Sequence, residues 1–121
     1  MGNPFVHIEL DTTDHPKAKE FYGKLFDWKL QDMDMGPMGT YTTIGVGEGT
    51  GGGMMKHPVP GAPSLWIPYV LVDDLAAATA KARELGATIL QANVPVSNMG
   101  AFTLFTDPTG AILGLWQNKQ A

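Results

Sequence analysis

Two ionisable side chains near the start of the chain have the types and spacing for acid–base chemistry. His7 and Glu9 lie in the alternating segment PFVHIEL, residues 4–10, and residues two apart on a strand share a face, roughly 7 Å from each other. An imidazole and a carboxylate so placed can orient a polar group or move a proton. The same residues also suit plainer roles, a hydrogen-bonded structural histidine and a solvated or ion-paired glutamate. Other reactive groups are few. His15 falls at a helix start and His57 in a proline-rich stretch. The absence of cysteine excludes disulfides, thiolate metal sites and a cysteine nucleophile. Ser64 and Ser97 have no recognisable base and orienter, so no hydrolase triad can be assembled. Gly51-Gly52-Gly53 is followed by Met54-Met55-Lys56 and prolines. A phosphate loop needs a helix there, so the glycines suit a bent strand or close backbone approach instead.

The elements that must carry these residues are written twice. Residues 4–58 superpose on 64–118 at a shift of sixty, with Asp14 on Asp74, Ala18 on Ala78, Leu25 on Leu85, Leu30 on Leu90, Gln31 on Gln91 and Thr43 on Thr103. In the first copy the alternation of 4–10 predicts a strand with two occupied faces. Asp14 then offers an N-cap and Pro16 sits in a first helical turn. Ala18, Phe21, Tyr22 and Leu25 form the stripe of a helix lying on a sheet, and are read as its core face. Strands are predicted near 27–33, 39–46 and 51–56. His57-Pro-Val-Pro-Gly-Ala-Pro63 cannot continue a ladder and reads as the linker. The pattern then restarts, with a strand in SLWIPYVLV, an N-cap at Asp74, a stripe at Leu75, Ala78, Ala82 and Leu85, and Gly86 as the stop. Strands follow near 87–92, 100–106 and 111–117. The order is β-α-β-β-β, twice. The expected architecture is α+β, one domain over 1–121, with module 1 about 4–56, linker 57–63 and module 2 about 64–118.

Composition narrows the function classes. At 121 residues with 44% hydrophobic and 17% charged residues, the chain is that of an ordinary soluble globular protein. A net charge of −4 supplies no basic field for nucleic acid or anionic lipid. The start MGNPFVHIEL has no signal-peptide pattern, and no apolar run approaches a membrane span. Cysteine-free composition suits a reducing cytoplasm, which is the expected location.

The sequence resembles the vicinal oxygen chelate superfamily, which includes glyoxalase I, extradiol dioxygenases, and fosfomycin- and bleomycin-resistance proteins. The match rests on Val6-His7-Ile8, on Asp14 followed by Phe21-Tyr22, on Val72-Asp73-Asp74-Leu75, on Leu85-Gly86-Ala87 and on Asp107-Pro108-Thr109-Gly110 before a last apolar strand. Pro68-Tyr69, the three glycines and Gly114-Leu115-Trp116 are similar to a glyoxalase-like subgroup. The resemblance implies two βαβββ modules whose curved sheets enclose a cavity. It also implies metal ligands on the first and last strands of each module, which here fall on His7, Met54, Ile67 and Gly114. Only His7 is a competent donor for a hard or borderline ion. No divalent metal or other cofactor is therefore expected.

Strand alternation then places Phe5, His7, Glu9, Met54, Ile67, Tyr69 and Trp116 on the cavity face. Trp28, Tyr41, Trp66 and Phe102 stand on neighbouring strands with their facing left open. An apolar, aromatic lining with a few polar groups suits a small hydrophobic or aromatic ligand. The leading expectation is a pocket protein that binds such a molecule without the usual metal. The alternative is an enzyme of the same superfamily, an isomerase, lyase or dioxygenase-like protein using His7 and Glu9 with or without a divalent metal, so enzymatic activity is left undecided. Two short modules with open sheet edges also predict a homodimer.

Overall fold

The computed structural model describes residues 2–119. The chain is a mixed α+β protein, and its elements follow the expected order: β1 (Phe5–Thr12), α1 (His15–Leu25), β2 (Lys29–Asp34), a 3-10 turn (Gly36–Met38), β3 (Thr40–Gly45), β4 (Gly52–Lys56), β5 (Leu65–Leu71), α2 (Leu75–Glu84), β6 (Thr88–Val96), β7 (Gly100–Thr106) and β8 (Ile112–Asn118). Two compact units result. One is His7–Ile67; the other joins the start of the chain, up to Val6, to the segment from Pro68 onward.

Within the first unit the strand order is β2-β3-β4-β1. β1 runs parallel to β4, while β3 is antiparallel to both β2 and β4. The second unit repeats this as β6-β7-β8-β5, with β5 parallel to β8 and β7 antiparallel to its neighbours. Both helices start as the sequence predicts. Asp14 Oδ1 accepts from Lys17 N at 3.1 Å, and sixty residues later Asp74 Oδ1 accepts from Ala77 N at 3.1 Å. Each cap satisfies a donor that the first helical turn would otherwise leave open.

The helix stripes need correction. In α1 only Ala18 and Tyr22 pack against the core of Leu10, Ile44 and Met54, while Phe21 and Leu25 are more than half exposed. An eleven-residue helix on a four-stranded sheet buries a narrower strip than the apolar pattern suggested. In α2 the buried residues are Leu75 and Thr79, and Leu85 is exposed. The rings of Tyr22, Phe26, Trp28 and Trp66 complete the helix side of the first unit, with centroids 4.7–6.4 Å apart. Trp28 and Trp66 thus belong under α1.

Two strands outrun their expected ends. β1 continues two residues past Leu10, because Asp11 and Thr12 pair with Met55 and Lys56. β6 reaches Val96 through register shifts, with Asn93 at φ 52° absorbing an extra residue. These irregularities move the repeat. Glu9 pairs with Gly53, and Tyr69 with Gly114. The shift is therefore sixty in the first strands and sixty-one in the last. Thr42 and Thr103, not Thr43 and Thr103, are the structural counterparts: both are wholly buried and both bond toward their helix.

Candidate functional site

One face of the first unit packs under α1; the other carries the polar cluster. Leu10 and Met54 belong to the helix face. Strand alternation then turns His7, Glu9 and Asp11 of β1, with Gly53 and Met55 of β4, to the opposite face. Gly53 is the register partner of Glu9. A Cβ at residue 53 would collide with the Tyr41 ring and hydroxyl, so the glycine is the floor on which that side chain lies. The reading of the glycine run as a place of close approach holds here. It also holds at Gly52, where a Cβ would strike the Ile8 carbonyl of the neighbouring strand.

Laid across Gly53, Tyr41 connects the two residues with chemical potential. Its hydroxyl donates to Glu9 Oε1 at 3.1 Å. The same oxygen lies 2.8 Å from His7 Nε2. Since the single phenolic proton goes to Glu9, the imidazole is the donor in the second bond. The His7 and Tyr41 rings also stack, 6.4 Å apart and 19° from parallel. His7 Nε2 and Glu9 Oε1 approach to 3.9 Å, with the imidazole a third exposed and the carboxylate 15% exposed.

The carboxyl groups diverge in acidity. Burial pushes Glu9 up, but its interactions with His7, Asp11 and Tyr41, the His7 charge among them, outweigh it and hold the group below its ordinary value. Asp11 is pushed up to about 8, chiefly by burial, then by its hydrogen bond to Glu9 and the repulsion of the Glu9 charge. A pair of carboxyls so separated supplies one charged acceptor and one neutral acid at the same pH.

The remaining sequence candidates do not join this cluster. Met54 is fully buried in the core on the helix face, a correction of its expected facing: the β4 positions turned toward His7 are Gly53 and Met55. Phe5 is 59% exposed, and Ile67 is buried. Tyr69 is buried in the second unit, edge-to-face with Phe102 at 6.1 Å, and its ring covers Gly114. Trp116 is partly buried opposite Phe102 and donates to Asn118 Oδ1. The second unit thus repeats the geometry with different chemistry. Tyr69 stands at the Glu9 position, Phe102 at the Tyr41 position and Gly114 at the Gly53 position. His15 serves the helix instead: it donates to Thr42 Oγ1 at 2.7 Å, Thr42 donates to Asp32 Oδ1 at 2.7 Å, and Lys19 closes the chain on Asp32 Oδ2. His57 Nδ1 accepts from Val59 N within the linker.

Sequence reasoning missed Asp11 and left Tyr41 without a role. Asp11 was legible, because alternation carried one step past Glu9 reaches it; the assumed strand end at Leu10 hid it.

Of the four expected positions, Met54 faces the helix, Ile67 and Gly114 carry no donor, and His7 Nε2 is bonded to Tyr41. Among the described residues no group of three or more His, Asp or Glu side chains could hold a metal ion.

Comparison with known proteins gives a consistent context. A family described as the Glyoxalase/Bleomycin resistance protein/Dioxygenase superfamily matches residues 5–115. Proteins of Mycobacterium bovis and Mycobacterium tuberculosis named "Putative glyoxylase CFP32" are 32% identical over 114 residues, 91% of this chain. The chain spans less than half, 44%, of the length of these relatives. A hypothetical protein of Bacillus halodurans has a similar structure, with TM-score 0.75, 16% identity and coverage of 100% of this chain and 98% of that one. So does methylmalonyl-CoA epimerase from Mycobacterium tuberculosis, with TM-score 0.70, 14% identity and coverage of 96% and 88%. No helix among the described residues is long and apolar enough to cross a membrane.

Proposed function

The chain belongs to the Glyoxalase/Bleomycin resistance protein/Dioxygenase superfamily, and we propose that it binds a small hydrophobic or aromatic molecule over the His7–Glu9 face and moves a proton on it without a divalent metal. The observation that carries this reading is the Tyr41 hydroxyl set between His7 Nε2 and Glu9 Oε1. A proton taken up by the imidazole converts its 3.9 Å approach to Glu9 into an ion pair. The stacked His7 and Tyr41 rings offer a planar guest an aromatic surface. The reaction class is proton abstraction or return next to a carbonyl, as in an isomerase or lyase.

A second reading is binding alone. The observation favouring it is the lowered pKa of Glu9, which suits a fixed charge better than a strong base. We place the protein as a cytoplasmic homodimer. The cysteine-free sequence supports the compartment, and gel filtration reads the dimer.

Incubation in heavy water with carbonyl compounds bearing an acidic α-hydrogen, methylmalonyl-CoA among them, tests the proposal. Deuterium incorporation by the wild type, lost in His7→Ala and Glu9→Gln, supports proton transfer. Thermal stabilisation by aromatic compounds without any exchange supports the binder. Stoichiometric metal in protein purified without chelator contradicts the metal-free claim.

A further inference from the structure

Asp11 is the innermost member of the line His7, Glu9, Asp11. It is 5% exposed, and its Oδ1 is shut from solvent with no hydrogen-bond partner among the described residues. Glu9 stands two residues back on the same face of β1, and two carboxyl groups that share a hydrogen bond need a proton between them. The other donors nearby are committed: the Tyr41 proton goes to Glu9, and the His7 Nε2 proton goes to Tyr41. The residues facing Asp11 from its own strand are His7 and Glu9. Tyr41 comes from β3, and Gly53 and Met55 come from β4, where Met55 lies opposite. The charge that bears on it is that of Glu9, of the same sign. An ionised Asp11 would be a buried anion without counter-charge or donor on Oδ1, a cost of several kcal/mol.

We propose that Asp11 is a positioning residue, a neutral carboxylic acid that donates its proton in a hydrogen bond to Glu9 and so holds Glu9 ionised and fixed against Tyr41 and His7. Burial alone would favour a protonated Glu9; its interactions with His7, Asp11 and Tyr41 reverse that preference. Asp11 thus acts through Glu9 and need not touch a substrate. The inference rests on the proton-transfer reading for its use in chemistry, but not for the geometry that motivates it.

Infrared spectroscopy of the full chain at neutral pH reads the carboxyl directly. The expected result is an acid carbonyl band in the wild type that is lost in Asp11→Asn. Carbon NMR of the Glu9 carboxyl supplies the second readout. Asp11→Asn keeps an amide donor and leaves the Glu9 titration near its wild-type position, whereas Asp11→Leu removes the donor and moves that titration upward. Absence of the acid band in the wild type overturns the proposal, as does an unmoved Glu9 titration in Asp11→Leu. If the leucine variant does not fold, the wild-type and asparagine spectra decide. An acid band together with no deuterium exchange on any substrate removes the proton-transfer function and leaves this assignment standing.

Discussion

Tyr41 occupies the space that a side chain at Gly53 would fill, and this is what brings its hydroxyl between His7 and Glu9. Gly53→Ala therefore pushes the Tyr41 ring off its floor. Overpacking of this kind costs about 1–3 kcal/mol, measurable as a lower denaturant midpoint. The His7 ring resonances move with it. A Gly53→Ala chain as stable as the wild type, with those resonances unshifted, would show that the glycine has no part in placing Tyr41.

Tyr41→Phe keeps the ring and deletes the bridge. Glu9 loses one of the donors that hold it low, so its titration moves upward. His7 Nε2 loses its hydrogen bond to the hydroxyl, at a cost of about 1 kcal/mol because the imidazole is only partly buried. Deuterium exchange by the variant should fall with little change in ligand-induced thermal stabilisation. Unchanged exchange would remove Tyr41 from the chemistry.

Asp11 makes stability depend on pH. Its folded-state value, about 8, lies above the 3.8 of an ordinary aspartate. Between these values the folded chain keeps a proton that the unfolded chain has released, so this group lowers stability as pH rises through that window. Asp11→Asn abolishes the effect and should become more stable than the wild type with rising pH, by up to a few kcal/mol at the upper end. Glu9 acts oppositely: its lowered value contributes stability above about 4.5 that is lost as pH falls through the folded-state value. Thermal melts of the wild type and both single variants, Asp11→Asn and Glu9→Gln, across this range separate the two. A stability difference between wild type and Asp11→Asn that does not vary with pH contradicts the assignment.

The buried hydroxyl of Thr42 tests the helix side independently. Thr42→Val leaves His15 and Asp32 without their shared partner and should cost about 1–3 kcal/mol. The His7, Tyr41 and Glu9 resonances should stay in place, because Thr42 lies on the opposite face of the sheet. Denaturant unfolding with a parallel NMR spectrum checks both halves of this statement.

The two-fold βαβββ order, the N-caps at Asp14 and Asp74 and the pairing of His7 with Glu9 were legible because each depends on local rules: alternation, capping and spacing. The lining around them was not. A sixty-residue shift carried past the bulges of β6 misassigns every later face by one, so Met54 was matched to Gly114 when its true counterpart is Leu115. Phe21 and Leu25 looked like core because periodicity reports an apolar stripe, not the width of sheet available to cover it. Tyr41 depends on a glycine two strand positions away from its own pairing partner, a relation that no single-strand pattern encodes.

Nitrogen NMR of His7 in protein purified without chelator tests the centre most directly. At a pH where the imidazole is neutral, the expected result is a protonated Nε2 whose resonance shifts in Tyr41→Phe. A bare or metal-bound Nε2, indifferent to the loss of the tyrosine hydroxyl, would contradict it.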